Sequence, residues 1–329
     1  MSSKKILVTG GSGFIGSALV RRLVARGYST TVFDNNFRGT AERLADVADR
    51  IDIIEGDIRS REEVVKATTG MDTVFHLAFI NGTKYFYQRP DLVLDVGVKG
   101  AVNTVEAALE CGIAQYILAS SSEVYQQPTH IPTTEEERIL IPDVRNPRYS
   151  YGGGKIISEL LTINMFRETA VSHQIFRPHN IFGPQMGFEH VIPELVRKIT
   201  EGTNGFKDQQ CRIEIQGTGE ETRAFCYVED AVDQLIFILE KGKSGEIYHI
   251  GMEEEITIRQ LIEDIGQALG VRIEVSAGEL RSGGTSRRCP SIRKVCSLGY
   301  KPENHYRTGL KKTVDWYREY FMKEMPIGT

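Results

Sequence analysis

A short apolar run near the start of the chain breaks into closely spaced glycines and then resumes with the spacing of a helix. Residues 6–8 are apolar, and Gly10, Gly13 and Gly16 follow at three-residue intervals. Glycines at these points remove side chains where the chain turns, where a pyrophosphate approaches the backbone, and where the helix packs on the strand. The free N–H groups and the dipole of the helix start then face the phosphates. The stretch therefore predicts a strand, a turn and a helix that together bind a dinucleotide.

The segment that follows supports the same prediction. Residues 30–34 read as a second strand, and this strand ends in Asp34. An acid at that place accepts hydrogen bonds from the adenosine ribose and repels a 2′-phosphate, so we predict NAD rather than NADP. Arg38, a few residues further along, weakens this preference for NAD over NADP.

Composition excludes several classes of function. The chain has 329 residues, 40% of them hydrophobic, and a net charge of −4 without a long basic block, so neither nucleic acid nor a membrane is expected as its main partner. Its five cysteines are scattered and lack a Cys-x-x-Cys pair, which predicts neither a disulfide framework nor a metal site. We expect no signal peptide and no membrane span, and a reducing, cytoplasmic location.

Apolar strand-like runs alternate with helix-like segments through the first half of the chain. The further predicted strands are residues 51–54, 73–77, 116–119 and 174–176, and the predicted helices are residues 62–67, 93–109 and 155–166. This alternation is typical of an α/β fold with a Rossmann-type doubly wound parallel sheet.

The pattern changes after Pro184, which predicts a second, smaller domain. A helix over residues 192–199, a polar loop over 201–210 and a short strand over 212–216 precede a helix at 230–239 and a strand at 246–250 of the earlier type. We predict a Rossmann domain over residues 1–180, with residues 224–250 returning to it. A discontinuous C-terminal substrate domain would occupy most of residues 181–329.

Ligands of such a sheet lie beyond the carboxyl ends of its strands, so polar residues there are candidates for function. Asp57 follows the third strand and is either a contact to adenine or an ordinary turn aspartate. His76 ends the fourth strand, and a buried histidine bonded to the backbone is the more frequent explanation for such a residue.

Two segments carry the chemistry expected of a dehydrogenase. Residues 119–125 include Ser121 at a strand end, and Tyr151 and Lys155 lie one helical turn apart, so they share a face. A phenol has a pKa near 10, but a nearby ammonium and an oxidised nicotinamide favour the phenolate. Tyr151 can then accept a proton from an alcohol while hydride leaves the same carbon, with Ser121 holding the oxygen.

With these motifs the sequence resembles the extended short-chain dehydrogenase/reductases that act on nucleotide sugars, over nearly the whole chain. The matching positions are residues 9–16, 34–35, 56–57, 76–78, 120–125, 177–184, 222–225, 227–228 and 288–292, together with Tyr151, Lys155 and Asp230. The resemblance implies a tightly held NAD or NADP and a nucleoside-diphosphate sugar, for which we expect a UDP-sugar. It also implies a homodimer built on the helices predicted at 93–109 and 155–166.

The resemblance assigns roles to individual residues. The cofactor site that it implies consists of Gly10, Gly13, Phe14, Ile15, Gly16, Asp34, Asn35, Asp57, Ile58, Leu77, Ala78, Tyr151 and Lys155. Asn180 and Arg223 correspond to residues that contact the sugar diphosphate, where a guanidinium fork suits two phosphates. Arg288 corresponds to an arginine that reaches the sugar in the sugar-acid decarboxylases.

The catalytic set that we predict is Ser121, Ser122, Glu123, Tyr151 and Lys155, and Glu123 bears on the reaction. Simple 4-epimerases of the family usually lack an acid at that position. The Ser122–Glu123 pair resembles that of UDP-glucuronate decarboxylases, and some sugar 4,6-dehydratases share it. We therefore predict decarboxylation through a 4-keto intermediate, with a 4,6-dehydratase and then a 4-epimerase as alternatives, and a non-catalytic NAD(H)-sensing protein as a remote one.

Four segments depart from the family pattern. Gln126 stands where glycine is usual. Residues 95–97 have the sequence Asp-Val-Gly in place of the usual Asn-Val-x-Gly. Residues 152–154 are three consecutive glycines at a helix start. The aromatic-rich segment 79–87 matches no named substrate. The glycines either leave room for sugar or nicotinamide or have no function.

Overall fold

A seven-stranded parallel sheet forms the centre of the protein in the computed structural model, which describes residues 3–278 and 286–324. The strands of the described residues are β1 Lys5–Thr9, β2 Ser29–Asp34, β3 Ile51–Glu55, β4 Thr73–His76, β5 Gln115–Ala119, β6 Ser172–Pro178, β7 Ile181–Phe182, β8 Gln210–Gln216, β9 Thr222–Ala224, β10 Cys226–Tyr227, β11 Glu246–Ile250, β12 Glu255–Thr257, β13 Arg272–Gly278 and β14 Arg287–Arg288. The helices are α1 Phe14–Ala25, α2 Arg61–Thr68, α3 Thr83–Gln88, α4 Pro90–Leu94, α5 Gly100–Glu110, α6 Ser150–Phe166, α7 Val191–Gly202, α8 Val228–Lys241, α9 Ile258–Leu269, α10 Arg293–Cys296 and α11 Tyr306–Glu324.

The central sheet has the strand order β11-β6-β5-β4-β1-β2-β3, with every pair parallel. Its inner strands β1, β4 and β5 are largely apolar and buried because helices cover both faces. In β1, Ile6 and Val8 belong to one core and Leu7 to the other, as the two-residue period of a strand requires. Helices α1 and α8 pack together on the first face, and α2, α5 and α6 cover the second. The predicted fold class is confirmed.

The helix predicted over residues 93–109 is interrupted in the structure. Helix α4 ends at Leu94, a π-helical turn spans Asp95–Lys99, and α5 begins at Gly100. Gly97 lies inside this turn, and a Cβ atom built on it would overlap the ring of Phe79. The helical pattern of the sequence could not reveal the extra residue in this turn, because apolar spacing persists on both sides of it.

Within the described part of the chain, three small sheets lie outside the central one. Strand β13 pairs with β8, β10 pairs with β7, and β9 lies between β12 and β14. Pairing of β14 with β9 sets Arg288 opposite Arg223. The domain boundaries at residues 180 and 224–250 stay a prediction, although β11 lies in the central sheet. Within residues 3–278 and 286–324, no helix has the length and apolar character needed to cross a bilayer.

Candidate active site

The carboxyl ends of the central strands open onto a cavity of about 510 Å³, a size usual for small-molecule sites (~300–1,000 Å³). Most of the predicted site residues meet there. Those that line it are Gly10, Gly13, Phe14, Ile15, Gly16, Asp34, Asn35, Ile58, Leu77, Ala78, Ser121, Ser122, Glu123, Tyr151, Lys155, Asn180 and Arg288.

The glycine turn after β1 is shaped by two close approaches. Gly10 has a φ of +73°, and a Cβ atom on it would lie 2.7 Å from the amide nitrogen of Ala78. A Cβ atom on Gly16 would collide with the carbonyl oxygen of Gly10, so α1 packs directly on the turn. Gly13 precedes α1 and provides no side-chain cap, which leaves the first N–H groups of the helix for a ligand. The residues fit the pyrophosphate of a dinucleotide.

Asp34 is held at the end of β2 by the backbone around it. Its two carboxylate oxygens accept from the amides of Ser12, at 3.0 Å, and Asn36, at 2.9 Å. This fixes the carboxylate at the rim of the cavity, where a ribose diol can donate to its remaining lone pairs. The Arg38 guanidinium lies over the ring of Tyr85, 4.8 Å from its centroid.

Asp57 lies beside this rim but is engaged with its neighbour. The Arg59 guanidinium contacts its carboxylate at 2.6 Å and lowers the pKa of Asp57, and the Asn35 amide donates to the same carboxylate at 3.4 Å. Ile58 and Arg59, rather than Asp57, line the cavity at this point. The predicted contact of Asp57 with adenine stays a prediction.

His76 is buried beneath the site and is bonded to a side chain, not to the backbone. Its Nδ1 lies 2.8 Å from Oγ1 of Thr9, which also accepts from the amide of Ala78. Burial, with a smaller effect of the Lys155 ammonium, lowers the pKa of His76 to about 3. His76 is therefore neutral and supports the β1–β4 edge of the cavity.

Tyr151 and Lys155 occupy the first turns of α6 and are both buried. Nζ of Lys155 donates to the carbonyl of Ala119 at 2.6 Å and lies 5.8 Å from the centre of the Tyr151 ring. Burial raises the pKa of Tyr151 to about 12, against a lowering contribution from the Ser121 hydroxyl. Burial lowers the pKa of Lys155 to about 7, and Glu159 opposes this. The pair can release one proton near neutral pH.

Glu123 stands in the short turn Ser122–Val124 after β5, and arginines surround it. Its carboxylate lies 2.6 Å from the Arg288 guanidinium and 3.7 Å from that of Arg148. Burial alone would raise the pKa of Glu123, but Arg288, aided by Arg148 and Arg223, lowers it. The backbone N–H of Glu123 donates to Oγ of Ser121 at 3.1 Å, which joins this group to the Tyr151 side of the cavity.

The two residues predicted to bind the diphosphate lie at different depths. Asn180 lines the cavity with a φ of 44°, and its amide donates to the carbonyl of Ala224. Arg223 stands outside the lining, where it donates to the carbonyl of Thr222 at 2.7 Å. Burial, and then the neighbouring Arg288, lower the pKa of Arg223 to about 10.

Sequence reasoning missed many residues of the cavity lining, and three of them lie beside Glu123 or Tyr151. Arg148 belongs to no motif, and only its place three residues before Tyr151 pointed to the cavity. Phe79 and Phe86 come from the aromatic segment that sequence analysis left without a role. The Phe86 ring stacks on Tyr151 with centroids 5.0 Å apart, and Phe79 meets the same ring edge-on.

Comparison with known proteins gives concordant matches. A sequence model described as the NAD dependent epimerase/dehydratase family matches residues 6–251. UDP-N-acetyl-alpha-D-glucosaminuronate decarboxylase of Bacillus cytotoxicus is 31% identical over 96% of this chain and 98% of its own length.

Two solved structures match over nearly their full length. The UDP-N-acetylglucosamine 4-epimerase of Methanobrevibacter ruminantium, in complex with UDP-N-acetylmuramic acid, has a TM-score of 0.86 at 26% identity, covering 99% of this chain and 100% of that one. A double mutant of the dTDP-glucose 4,6-dehydratase DesIV from Streptomyces venezuelae, with NAD bound, has a TM-score of 0.81 at 28% identity, covering 95% and 97%.

Proposed function

Because the chain belongs to the NAD-dependent epimerase/dehydratase family, we propose that it decarboxylates a UDP-hexuronate, a nucleotide sugar with a carboxylate at C6. It is an NAD-dependent nucleotide-sugar enzyme, and decarboxylation is the reaction that its site supports best. One observation carries this choice. The arginine pair at Glu123, beside Tyr151, provides cationic groups for a sugar carboxylate but leaves Glu123 ionised and weakly basic.

The first step is oxidation at the sugar C4. Bound NAD supplies the hydride acceptor and later the hydride donor. Once the Tyr151–Lys155 pair has released one proton, Oη of Tyr151 accepts the proton of the C4 hydroxyl. Oγ of Ser121 donates to the same oxygen. The Lys155 ammonium keeps negative charge on the phenol favourable.

The second step follows from the ketone. A C4 ketone with a carboxylate on C5 is a β-keto acid, so the C5–C6 bond breaks, carbon dioxide leaves, and the electron pair passes to the C4 oxygen. Ser121 and the protonated Tyr151 donate to that oxyanion. C5 then takes up a proton before the C4 carbonyl is reduced again.

A 4,6-dehydratase makes a different demand on Glu123. Its substrate carries a hydroxyl at C6, so a base must remove the C5 proton and an acid must protonate the leaving hydroxyl. Arg288 and Arg148 lower the pKa of Glu123 and weaken it as that base. Ser122 is a poor acid, so the dehydratase ranks second and the 4-epimerase third. The assembly of Ser121, Tyr151 and Lys155 argues against a non-catalytic NAD(H) sensor.

The roles of the remaining residues belong to the same proposal. The glycine turn, Asp34 and Asn35, with Ile58, Leu77 and Ala78, bind the cofactor, and Asn180 and Arg223 bind the diphosphate. Arg223 would have to turn towards the cavity when substrate enters.

We also propose a cytoplasmic homodimer. Exposed apolar side chains on α4 and α6 support an interface there, and they are Leu94, Ile157, Leu160 and Met165.

A panel of nucleotide sugars with NAD⁺, analysed by mass spectrometry, tests the proposal. We expect loss of carbon dioxide from UDP-glucuronate or UDP-N-acetylglucosaminuronate. Loss of water from UDP-glucose or dTDP-glucose, or an isomer of unchanged mass as the only product, would contradict it.

Two adjacent arginines provide a matched pair of variants. Arg288→Ala should lower the decarboxylation rate roughly 10- to 100-fold, the equivalent of one charge-assisted hydrogen bond. Arg287→Ala, which removes a half-exposed arginine paired with Glu255, should retain nearly full activity. Equal losses in both variants would mean that Arg288 acts only through the stability of β14.

A further inference from the structure

The aromatic ring of Phe79 lies directly against the proposed proton-transfer pair. Phe79 follows β4, and Nζ of Lys155 lies 4.0 Å from the centre of its ring. The Tyr151 ring meets the same ring edge-on, at 5.2 Å between centroids and an interplanar angle of 87°. An ammonium over an aromatic face in a desolvated site is attracted by the negative face of the ring.

Two glycines create the space that this ring occupies. A Cβ atom on Gly97, in the π-helical turn, would overlap the Phe79 ring, and one on Gly154, in α6, would lie 2.9 Å from its Cζ. Gly153 lies between Tyr151 and Lys155 in the same helix, but a Cβ atom on it would not meet the Phe79 ring. The atom nearest to that Cβ would be Cδ1 of Ile141, at 3.8 Å. Gly153 is therefore unrelated to the ring.

Three departures of the sequence from its family pattern thus form one structural feature. The unusual turn around Gly97, the glycine run before Lys155 and the aromatic segment after β4 meet at a single ring. Side chains at residues 97 and 154 would exclude a ring from this position. The glycines lower helix stability relative to alanine, and the ring that they admit contacts both Tyr151 and Lys155.

We propose that Phe79 is a positioning residue for the Tyr151–Lys155 pair. Its ring, admitted by Gly97 and Gly154, keeps water away from the Lys155 ammonium and holds that ammonium one helical turn from the phenol. This inference rests on the proposed roles of Tyr151 and Lys155. It holds whether the second step is decarboxylation, dehydration or epimerisation, because all three begin with the same oxidation.

The protonation of the pair gives the proposal a measurable consequence. The polar groups that face Lys155 are the phenol of Tyr151, the carboxylate of Glu159 one turn further along α6, neutral His76 on β4 and the carbonyl of Ala119 on β5. The first proton leaves the coupled pair near pH 7, where burial has lowered the pKa of Lys155. Water in place of the ring would solvate the ammonium more strongly than the aromatic face does and raise this apparent pKa, whereas loss of the aromatic face without entry of water would lower it.

The first test is the pH dependence of the oxidation step. We expect Phe79→Ala to slow the formation of reduced nicotinamide at least 10-fold at pH 7. The acidic limb of the pH–rate profile should move to a pH at least half a unit higher. Phe79→Leu, which excludes water but removes the aromatic face from the ammonium, should move the limb to lower pH, with a smaller loss of stability. An unshifted limb in both variants would reduce Phe79 to packing and overturn the proposal.

The second test is a pair of double-mutant cycles read by thermal unfolding of the protein without ligands. Gly97→Ala should lower the melting temperature in the wild-type background and much less in the Phe79→Ala background. Gly153→Ala, the control, should change it equally in both. Additive effects of Gly97→Ala and Phe79→Ala would contradict the fit between ring and glycine. Because unfolding needs no substrate, this result stands even if the nucleotide-sugar panel refutes the proposed reaction.

Discussion

At the residue scale, burial acts in opposite directions on two neighbouring groups. It raises the pKa of Tyr151 to about 12 and lowers that of Lys155 to about 7, because the charged form of each is disfavoured away from water. Both shifts favour an uncharged pair, so the first proton leaves Lys155 near pH 7 while the phenol stays protonated. Transfer of the phenol proton to the amine then gives the phenolate and the ammonium that oxidation requires, and an oxidised nicotinamide beside the pair would favour this form.

Replacement of Tyr151 tests whether its phenol is the base. Tyr151→Phe removes one oxygen and keeps the ring that stacks on Phe86, so NAD⁺ affinity should change little. The rate of substrate oxidation should fall by about 10²–10⁴, the usual contribution of a positioned general base. NAD⁺ titration and stopped-flow absorbance of the reduced cofactor measure the two quantities separately. Near-normal turnover would exclude Tyr151 from proton transfer.

At the element scale, the order of the strands of the central sheet and of most helices between them was accessible from the sequence, because these elements carry local patterns. Short apolar runs mark the parallel strands, and the glycines after β1 mark the turn into α1. No element after residue 250 was predicted. The positions of Tyr151 and Lys155 on one face of α6 follow from helical spacing alone.

Long-range contacts left no such pattern. Arg288 reaches Glu123 from 165 residues away, and Phe79 reaches Lys155 only because the π-helical turn and α6 both carry a glycine at the point of contact. Sequence analysis noted the glycines and the aromatic segment separately. Their connection required the packing of three elements, which no local signal specifies.

The exposed face of α6 gives a prediction for assembly. Leu160 is 54% exposed on this helix, and apolar side chains grouped on one helical face indicate a partner surface. Leu160→Asp should convert the proposed dimer into a monomer, because an unpaired carboxylate in an apolar interface is costly. Light scattering after size-exclusion chromatography measures the mass. Val144→Asp, at an 88% exposed loop position, is the control, and a monomeric wild-type protein would refute the dimer.

At the scale of the whole molecule, a buried polar network connects the central sheet with the C-terminal segment. Arg177 on β6 forms a buried ion pair with Glu159 of α6 at 2.6 Å and donates to the hydroxyl of Tyr125. That hydroxyl lies 2.6 Å from Nε2 of His249 on β11, whose Nδ1 lies 3.2 Å from the carbonyl of Ser291. An uncharged His249 fits this network, because a second cation beside Arg177 would be repelled.

Buried histidines predict how stability depends on pH. Burial lowers the pKa of His76 and of His249 to about 3, and it lowers that of His179 well below its ordinary value. Below pH 6.5 the unfolded chain therefore binds more protons than the folded one, so the free energy of unfolding falls as the pH falls. The loss is roughly 1.4 kcal/mol per pH unit for each fully buried histidine. The window from pH 7 to pH 5 lies above the ordinary pKa of carboxyl groups, and protonation of Lys155 near pH 7 acts in the same direction as the histidines.

Urea unfolding of the protein without ligands at pH 7, 6 and 5 measures this dependence, and the midpoint should decrease at each step. His305 acts in the opposite direction, because its hydrogen bond to Asp230 raises its pKa and stabilises the folded state at lower pH. His305→Asn should therefore make the decrease between pH 7 and pH 5 steeper while lowering stability at pH 5 more than at pH 7. A midpoint that stays constant or rises on acidification would show that the buried histidines accept protons in the folded state, and the neutral network around His249 would then be wrong.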